Sequence, residues 1–186
     1  MTSLIEIDVL GEFRVVRDGV PVPLAPSRKT RALIAYLAVV NRPQRRERLC
    51  SLLWEVPDDP RAALRWSLSK IRPILDDGDR RRLHADRETV HIAGDDIVVD
   101  LRALGGLAAA EVGRRPTEEL EEAAARFRGG FLEDLSLSRC PTFEAWRVAH
   151  AAETDRLRAR ILAELAARLS ATDPVRARRH AEALAA

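Results

Sequence analysis

The sequence predicts an α+β fold over residues 1–100 and an all-helical fold over residues 101–186. Apolar residues alternate with polar ones near the start and again between positions 83 and 99, which is typical of strands. Between these stretches, and after Asp100, apolar residues recur at helical spacing. Hydrophobic residues make up 46% of the chain and aromatic residues only 4%. The core must therefore consist mainly of Leu, Ala, Val and Ile, which favours helices over an all-β architecture.

The N-terminal segment predicts a small antiparallel sheet. From Ile5 to Val9 apolar residues alternate with acidic ones, and the same alternation returns near residues 13–15. Asp18-Gly19 is a hairpin turn signal. Two prolines in the next apolar stretch, Pro21 and Pro23, place that strand at a sheet edge, because proline has no N–H to donate to a neighbour.

Two helices are predicted next. The first begins after Ser27, a residue type that caps helix N-termini, and ends before Pro43. The second spans Gln44–Trp54, with its leucines directed inward. The region 26–54 holds one acid, Glu47, against seven basic residues, so a basic band lies within a chain whose net charge is only +2. Such a band suits a localised phosphate-binding face.

The third helix is the most informative segment. Asp58 or Asp59 caps it, and it runs from Pro60 to Leu75, with Pro73 expected to kink or end its last turn. Its leucines and Ile71 share one face, whereas the other side and flank carry Arg, Lys, Ser and Trp and no acid. A helix of this kind can pack on a core with one side and lie against a polyanion with the other.

A β-hairpin is predicted from Leu83 to Ala93, followed by a short strand around residues 97–99. Pairing Leu83 with Ile92 places the apolar side chains on one face and His84 opposite His91 on the other. Two histidines could hold a metal, but no third ligand is near in sequence, so an outward-facing pair is the favoured interpretation. The charged Arg87 lies at the hairpin tip.

The second half is predicted to be helical throughout. Helices are expected over Leu101–Val112, Thr117–Phe127 and Pro141–Leu169, with a chain break at Gly129-Gly130 and a last helix starting at Asp173-Pro174. We place a domain boundary near Asp100. We expect the last helix to lack a partner to pack against, which suggests a truncated chain or the front of a longer helical-repeat protein.

Several functional classes have no support in the sequence. Cys50 and Cys140 lie far apart without a CxxC pattern, which fits a reducing compartment, and Cys50 is expected to be a packed thiol. There is no signal-peptide pattern and no apolar run of membrane-spanning length, so we predict a cytoplasmic protein. The chain has no Gly-rich phosphate loop, HExxH or GxSxG motif. We therefore expect neither an enzyme nor a bound cofactor or metal.

Several segments together carry a resemblance to a known family. They are RALIAYLAVVNRPQRRERLCSLLW, DDPRAALRWSLSKIRPIL, the hairpin and IVVDL in the first half, and ARFRGGFLEDL and FEAWRVAHAAETDRLRARILAELAARL in the second. In these segments the chain resembles the Streptomyces antibiotic regulatory proteins (SARP family). The resemblance implies an OmpR-type winged helix-turn-helix followed by a helical-hairpin (TPR-like) bacterial transcriptional activation domain (BTAD). Asp86-Arg87-Glu88 stands where the family often has a glycine-containing wing tip, and Trp66 where it often has a polar residue.

This resemblance and the charge pattern together predict a set of DNA contacts. On the third helix, arginine can bond both O6 and N7 of guanine, and serine and lysine reach bases or phosphates. Trp66 either contacts thymine methyls or sugars, or packs on a neighbour. Arg87 either enters a minor groove or is a plain turn residue. The candidate DNA-binding residues are Arg65, Trp66, Ser69, Lys70 and Arg72 on the third helix, and Arg28, Lys29, Arg45, Arg48 and Arg87 elsewhere.

The sequence thus predicts a DNA-binding transcriptional regulator, with activation as the expected role. Its partners would be double-stranded DNA carrying direct repeats, a second copy of the chain, and RNA polymerase, with no membrane contact. Two alternatives stay open at this point. The fold could bind a protein through the same face, with Trp66 as an anchor, or serve as the regulatory front end of a larger ATP-using protein.

Overall fold

The computed structural model describes residues 3–54, 59–78 and 80–185, and it combines two β-sheets with several α-helices. The strands are β1 (Ile5–Asp8), β2 (Arg14–Arg17), β3 (Val20–Pro21), β4 (Gln44–Arg45), β5 (Leu83–Ala85), β6 (Thr89–Ile92) and β7 (Ile97–Val99). The α-helices are α1 (Arg28–Val40), α2 (Arg46–Leu53), α3 (Pro60–Leu75), α4 (Asp100–Ala103), α5 (Thr117–Arg126), α6 (Pro141–Leu169) and α7 (Pro174–Ala185). A 3₁₀ helix spans Ala109–Arg114.

The first sheet has the strand order β3-β2-β1-β7 and confirms the predicted hairpin. Asp18 and Gly19 both have positive φ angles, 51° and 79°, as a two-residue type I′ turn requires. Strand β3 lies at the edge, where Pro21 costs no ladder hydrogen bond. Strand β7 pairs in parallel with β1, so the last strand of the first half lies directly beside the first.

Helices α1 and α3 begin at the predicted caps. The Ser27 hydroxyl accepts the N–H of Thr30 at 3.3 Å, and the Asp59 carboxylate accepts the N–H of Ala62 at 2.8 Å. The other proposed cap, Asp58, lies outside the described residues. One prediction was wrong: the second helix does not include Gln44 or Arg45. These two residues form β4, because the hairpin strand β6 offers them backbone partners.

Helix α3 packs its predicted apolar face on the core. Leu64, Leu68, Ile71 and Leu75 are all buried. A hydrogen bond of 3.0 Å from the Thr30 hydroxyl to the Ser67 hydroxyl also ties α1 to α3 inside the core. The helix continues past its internal proline to Leu75.

Two arginines from other elements bind the C-terminal end of α3. Arg17 donates to the carbonyl of Ile74 at 2.9 Å, and Arg82 donates to the carbonyl of Leu75 at 2.6 Å. Arg82 is only 1% exposed and also forms an ion pair with Asp96 at 2.8 Å. Because the last carbonyls of a helix have no partner within it, these side chains fix both the end and the direction of α3.

The second sheet, of order β4-β6-β5, contains the predicted hairpin in the predicted register. Leu83 lies opposite Ile92, and His84 lies opposite His91. Leu83 and Ile92 are buried, so the alternation of the sequence separates the two faces of this hairpin as expected.

The second half is mostly helical, with one corrected element. The expected helix over Leu101–Val112 is absent: α4 ends at Ala103, and a separate 3₁₀ helix follows. Gly105 and Gly106 both have positive φ angles, 63° and 66°, which no α-helix accommodates. Helix α6 has the predicted bounds, and α7 starts at the predicted proline. The expectation that the last helix lacks a packing partner was wrong: α7 packs on α6, its Ala177 is buried, and its Arg176 pairs with Glu121 of α5. No helix in the described ranges combines the length and apolarity needed to cross a membrane.

The two halves are joined through Asp100. Its buried carboxylate accepts the N–H groups of Val9 and Leu10 at 2.9–3.0 Å, and it pairs with Arg128 at 2.9 Å. Main-chain hydrogen bonds link the same segments, including one of 3.0 Å from Gly11 N to the carbonyl of Gly130. Gly11 has a φ of 131°, and a Cβ there would lie 3.2 Å from the Cβ of Arg128. Glycine therefore suits the position at which these two segments approach each other.

A cluster of aromatic rings continues this junction. Trp146 of α6 contacts Tyr36 of α1 edge-on, with 5.0 Å between ring centroids, and it also packs against Phe131 and Phe143. Trp54 is buried in the same connected core. The hydrophobic core therefore runs without interruption from the first half into the second.

Replacing Arg82 by alanine should destabilise the protein strongly. The change removes one of two arginines that pair with the buried Asp96, leaving the partly exposed Arg80, and it takes the donor away from the Leu75 carbonyl. Breaking a buried ion pair from one side typically costs about 3 kcal/mol or more. Urea unfolding followed by tryptophan fluorescence measures the loss. The matched control is Arg81→Ala at the exposed neighbouring position, which should shift stability by less than about 0.5 kcal/mol. Equal effects in the two variants would contradict the role given to Arg82.

Candidate nucleic-acid interface

Four of the predicted contact residues share one exposed face of α3. We call Arg65, Trp66, Ser69 and Lys70 the α3 outer face; all four are exposed, and Trp66 keeps 50% of its surface accessible. Their spacing of three and four residues brings them together on one side of the helix. The α3 outer face therefore presents two cations, a hydroxyl and an indole ring to whatever approaches it.

The side chains of the α3 outer face are only weakly engaged within the chain. The Lys70 ammonium lies 5.6 Å from the centre of the Trp66 ring, within cation–π range. Arg65 and Asp59 approach to 3.8 Å, but both are largely exposed, and such surface pairs contribute little. The Ser69 hydroxyl donates to the Trp66 carbonyl at 2.6 Å and keeps lone pairs for a further donor. Both cations thus stay available to an external anion.

An apolar cleft of about 730 Å³ adjoins this face. The segment 22–26, which includes Val22 and Leu24, forms one wall, and Trp66, Lys70 and Pro73 of α3 form the other. The indole ring is thus the apolar border of a cationic surface.

Arg72, the remaining α3 candidate, is exposed and approaches Asp76 at 3.6 Å, one turn further along the helix.

The tip of the β5–β6 hairpin is held in place and carries a free cation. The Asp86 carboxylate accepts the N–H groups of Glu88 and Thr89, both at 2.7 Å, and these bonds lower the pKa of Asp86. Arg46 of α2 donates to the Asp86 carbonyl at 2.8 Å and so ties the tip to the start of α2. Arg87 is exposed and forms no ion pair with any described residue.

The remaining basic candidates divide into two groups. Arg45 is exposed in β4 opposite Thr89, near the hairpin tip, and Arg48 donates to the Tyr36 hydroxyl at 3.2 Å. Arg28 instead donates to the carbonyls of Asp134 and Ser136, at 2.8 and 3.0 Å, within the second half. Lys29 lies beside it in a shallow groove bordered by the same loop. The two residues at the start of α1 thus border the junction between the halves.

His84 and His91 stack on the outer face of the hairpin. Their ring centroids are 4.8 Å apart, and the planes differ by only 15°. Burial and the neighbouring His84 ring both lower the pKa of His91. Among the described residues, no group of three or more His, Cys, Asp or Glu side chains could hold a metal. The pair is therefore two stacked rings without a completed coordination site.

Sequence reasoning missed the residues that hold the candidate interface in place. Arg17 and Arg82 bind the end of α3, and Arg46 binds the hairpin tip. The run Arg80-Arg81-Arg82 has no periodicity that would indicate which of the three arginines is buried.

Cys50 is the packed thiol that was predicted. It is buried, and burial raises its pKa.

The overall fold is similar to that of one solved structure. The chain matches no protein-family model and no curated protein sequence. It aligns with the structure of Mycobacterium tuberculosis EmbR in complex with a low-affinity phosphopeptide, with a TM-score of 0.70 and 24% sequence identity. The alignment covers 91% of this chain and 49% of that one, so the chain spans about half the length of EmbR. The likeness shows a shared fold for nearly the whole chain.

Proposed function

We propose that the protein is a sequence-specific DNA-binding transcriptional regulator of the SARP type. In this proposal α3 is the recognition helix of a winged helix-turn-helix, and the β5–β6 hairpin is its wing. The observation that carries the proposal is the α3 outer face, which leaves Arg65 and Lys70 exposed on a helix whose opposite side is buried. The resemblance of the sequence to the SARP family and the fold shared with EmbR support it.

The chemistry of the α3 outer face suits a major groove. An arginine can donate two hydrogen bonds to guanine, and a serine or a lysine can reach base edges or phosphates. The indole of Trp66 offers an apolar surface to thymine methyl groups. No acidic residue lies within α3, so nothing in the helix repels the phosphate backbone. Because Arg17 and Arg82 hold its C-terminal end, α3 can meet DNA without first becoming ordered.

The other basic residues would hold the DNA backbone. Arg45 and Arg87 lie near the hairpin tip, at a position from which a wing contacts the neighbouring groove. Arg48, Arg28 and Lys29 would add phosphate contacts. Because Arg28 already donates to two carbonyls of the second half, we expect a smaller loss of affinity from its removal than from that of Arg45.

The second half would act as a helical activation domain. Its hairpins would contact a second copy of the chain or RNA polymerase and thereby activate transcription. A head-to-tail pair of copies requires direct repeats about 10–10.5 bp apart. Selection of bound DNA from a random pool, followed by sequencing, tests the central proposal. An enriched site with that repeat supports it, and the absence of any enrichment contradicts it.

A second candidate function is protein binding through the same surface. It is favoured by the half-exposed Trp66 and the apolar cleft beside it, since tryptophan is a frequent anchor of protein interfaces. Pull-down with random-sequence duplex DNA separates the two functions, because DNA-binding proteins keep non-specific affinity.

Lys70→Ala or Arg65→Ala should weaken binding to the selected site by roughly tenfold, because each removes a cation worth about 1–3 kcal/mol at a base or phosphate. Gel-shift titration measures affinity, and melting curves confirm folding. The control is Arg160→Ala, an exposed arginine of α6 without an ion pair among the described residues, which should leave affinity unchanged. Unchanged affinity for both α3 variants would reject α3 as the recognition helix.

Binding should also depend steeply on salt. The logarithm of the binding constant should fall with the logarithm of salt concentration, by a slope of about −0.9 for each neutralised phosphate. Arg45→Ala should make that slope shallower by about one unit at every DNA sequence tested, as expected for a backbone contact. Fluorescence anisotropy between low and physiological salt measures the slope. A flat titration for the unmodified protein would exclude an interface with several phosphate contacts.

A further inference from the structure

Another cavity lies at the junction of the two halves, away from the α3 outer face. It is a groove of about 690 Å³, within the range of small-molecule sites. Its walls come from α1, from α4 and the loop that follows it, and from the middle of α6. We call it the junction groove. Sites of this size occur preferentially where domains or packed layers meet, and this one joins elements distant in sequence.

The floor of the junction groove is apolar. Val39 of α1, Leu101 and Leu104 of the α4 region, Leu107 of the loop and Leu157 of α6 line it. Leu104 and Leu157 are nearly buried, whereas Leu101 and Leu107 stay partly accessible. An apolar body lying there would cover the accessible leucines and gain hydrophobic stabilisation in proportion to the area removed from water.

The rim of the junction groove is cationic. Arg102 and Arg156 line it and are both exposed, and their guanidinium groups form no ion pair or hydrogen bond with any described residue. One acid, Glu153, also lines the groove, so the rim carries an excess of positive charge.

His150 adds a polar atom between the floor and the rim. Its Nδ1 lies 3.0 Å from the Trp146 carbonyl, which makes Nδ1 the protonated nitrogen, and its ring packs against Trp146 and Phe131. The other nitrogen, Nε2, has no partner among the described residues. The ring is therefore fixed in orientation and can contribute one further hydrogen bond to a molecule in the groove.

We propose that the junction groove binds a small amphipathic acid. The ligand has an aliphatic or aromatic body that lies on the leucines and one carboxylate or sulfonate group that faces Arg102 and Arg156. A guanidinium can donate paired hydrogen bonds to two oxygens of a carboxylate or a sulfonate, which a neutral head group does not reproduce. This binding site is independent of the DNA contacts proposed above, because none of its lining residues belongs to the α3 outer face.

The test uses three probes with the full chain. The fluorescent sulfonate 8-anilinonaphthalene-1-sulfonate should bind saturably with one molecule per chain. Decanoate should displace it, and decan-1-ol, which has the same chain length without the charge, should displace it at least tenfold less effectively. Decanoate should also raise the melting temperature, since a ligand that binds only the folded state stabilises it. Non-saturable probe binding, or equal displacement by acid and alcohol, would overturn the proposal.

Variants locate the site. Arg156→Gln should weaken probe binding about tenfold, and Leu107→Trp should also weaken it, because the larger side chain occupies part of the groove floor. Arg160→Gln, on the same helix but outside the groove, should leave binding unchanged. Trp66→Ala distinguishes the apolar cleft beside α3: if this variant loses probe binding while Arg156→Gln keeps it, the probe sits in that cleft and the proposal fails. Unchanged binding in both Arg156→Gln and Leu107→Trp would overturn it as well.

Discussion

The buried carboxylate of Asp100 fixes how the first half of the chain meets the second. It lies where β7 passes into α4, and it accepts N–H groups from the segment that follows β1. Burial raises the pKa of Asp100, so its charged form depends on those donors and on the Arg128 guanidinium. One side chain thus binds the start of the first half, the start of the second half and the loop before α6. This centre thereby holds three segments together at the junction of the two halves.

The α3 helix shows a similar dependence on charged groups outside it. Asp59 satisfies N–H groups at its start, and Arg17 and Arg82 satisfy carbonyls at its end. Within the helix, apolar residues hold the buried face, and none of the cations of the outer face is needed for that packing. Cations on that face can therefore be exchanged during evolution with little loss of stability. This separation suits a regulator whose binding specificity changes while its fold is kept.

The parts of the fold that were predictable are those in which periodicity decides the structure. The register of the β5–β6 hairpin followed from alternation, because only one pairing buries Leu83 and Ile92 together. The bounds of α6 followed from Pro141 at its first turn and from apolar residues that recur at helical spacing up to Leu169. The Leu101–Val112 helix was predicted wrongly because apolar spacing outweighed Gly105-Gly106, a signal that was present in the sequence. The roles of Arg82 and Asp100 were not predictable, since both depend on contacts between segments far apart in the chain.

The parallel pairing of β1 with β7 has a consequence for synthesis on the ribosome. Ile5 pairs with Ile97, so one edge of β1 has no strand partner until most of the first half has emerged. At typical translation rates of roughly 5–20 residues per second, that edge of β1 stays unpaired for several seconds. The bridge between Leu10 and Phe131 forms later still. An unpaired strand is prone to join another chain. Nascent copies on neighbouring ribosomes would therefore be exposed to strand exchange, and factors that shield emerging chains should raise the yield of folded protein.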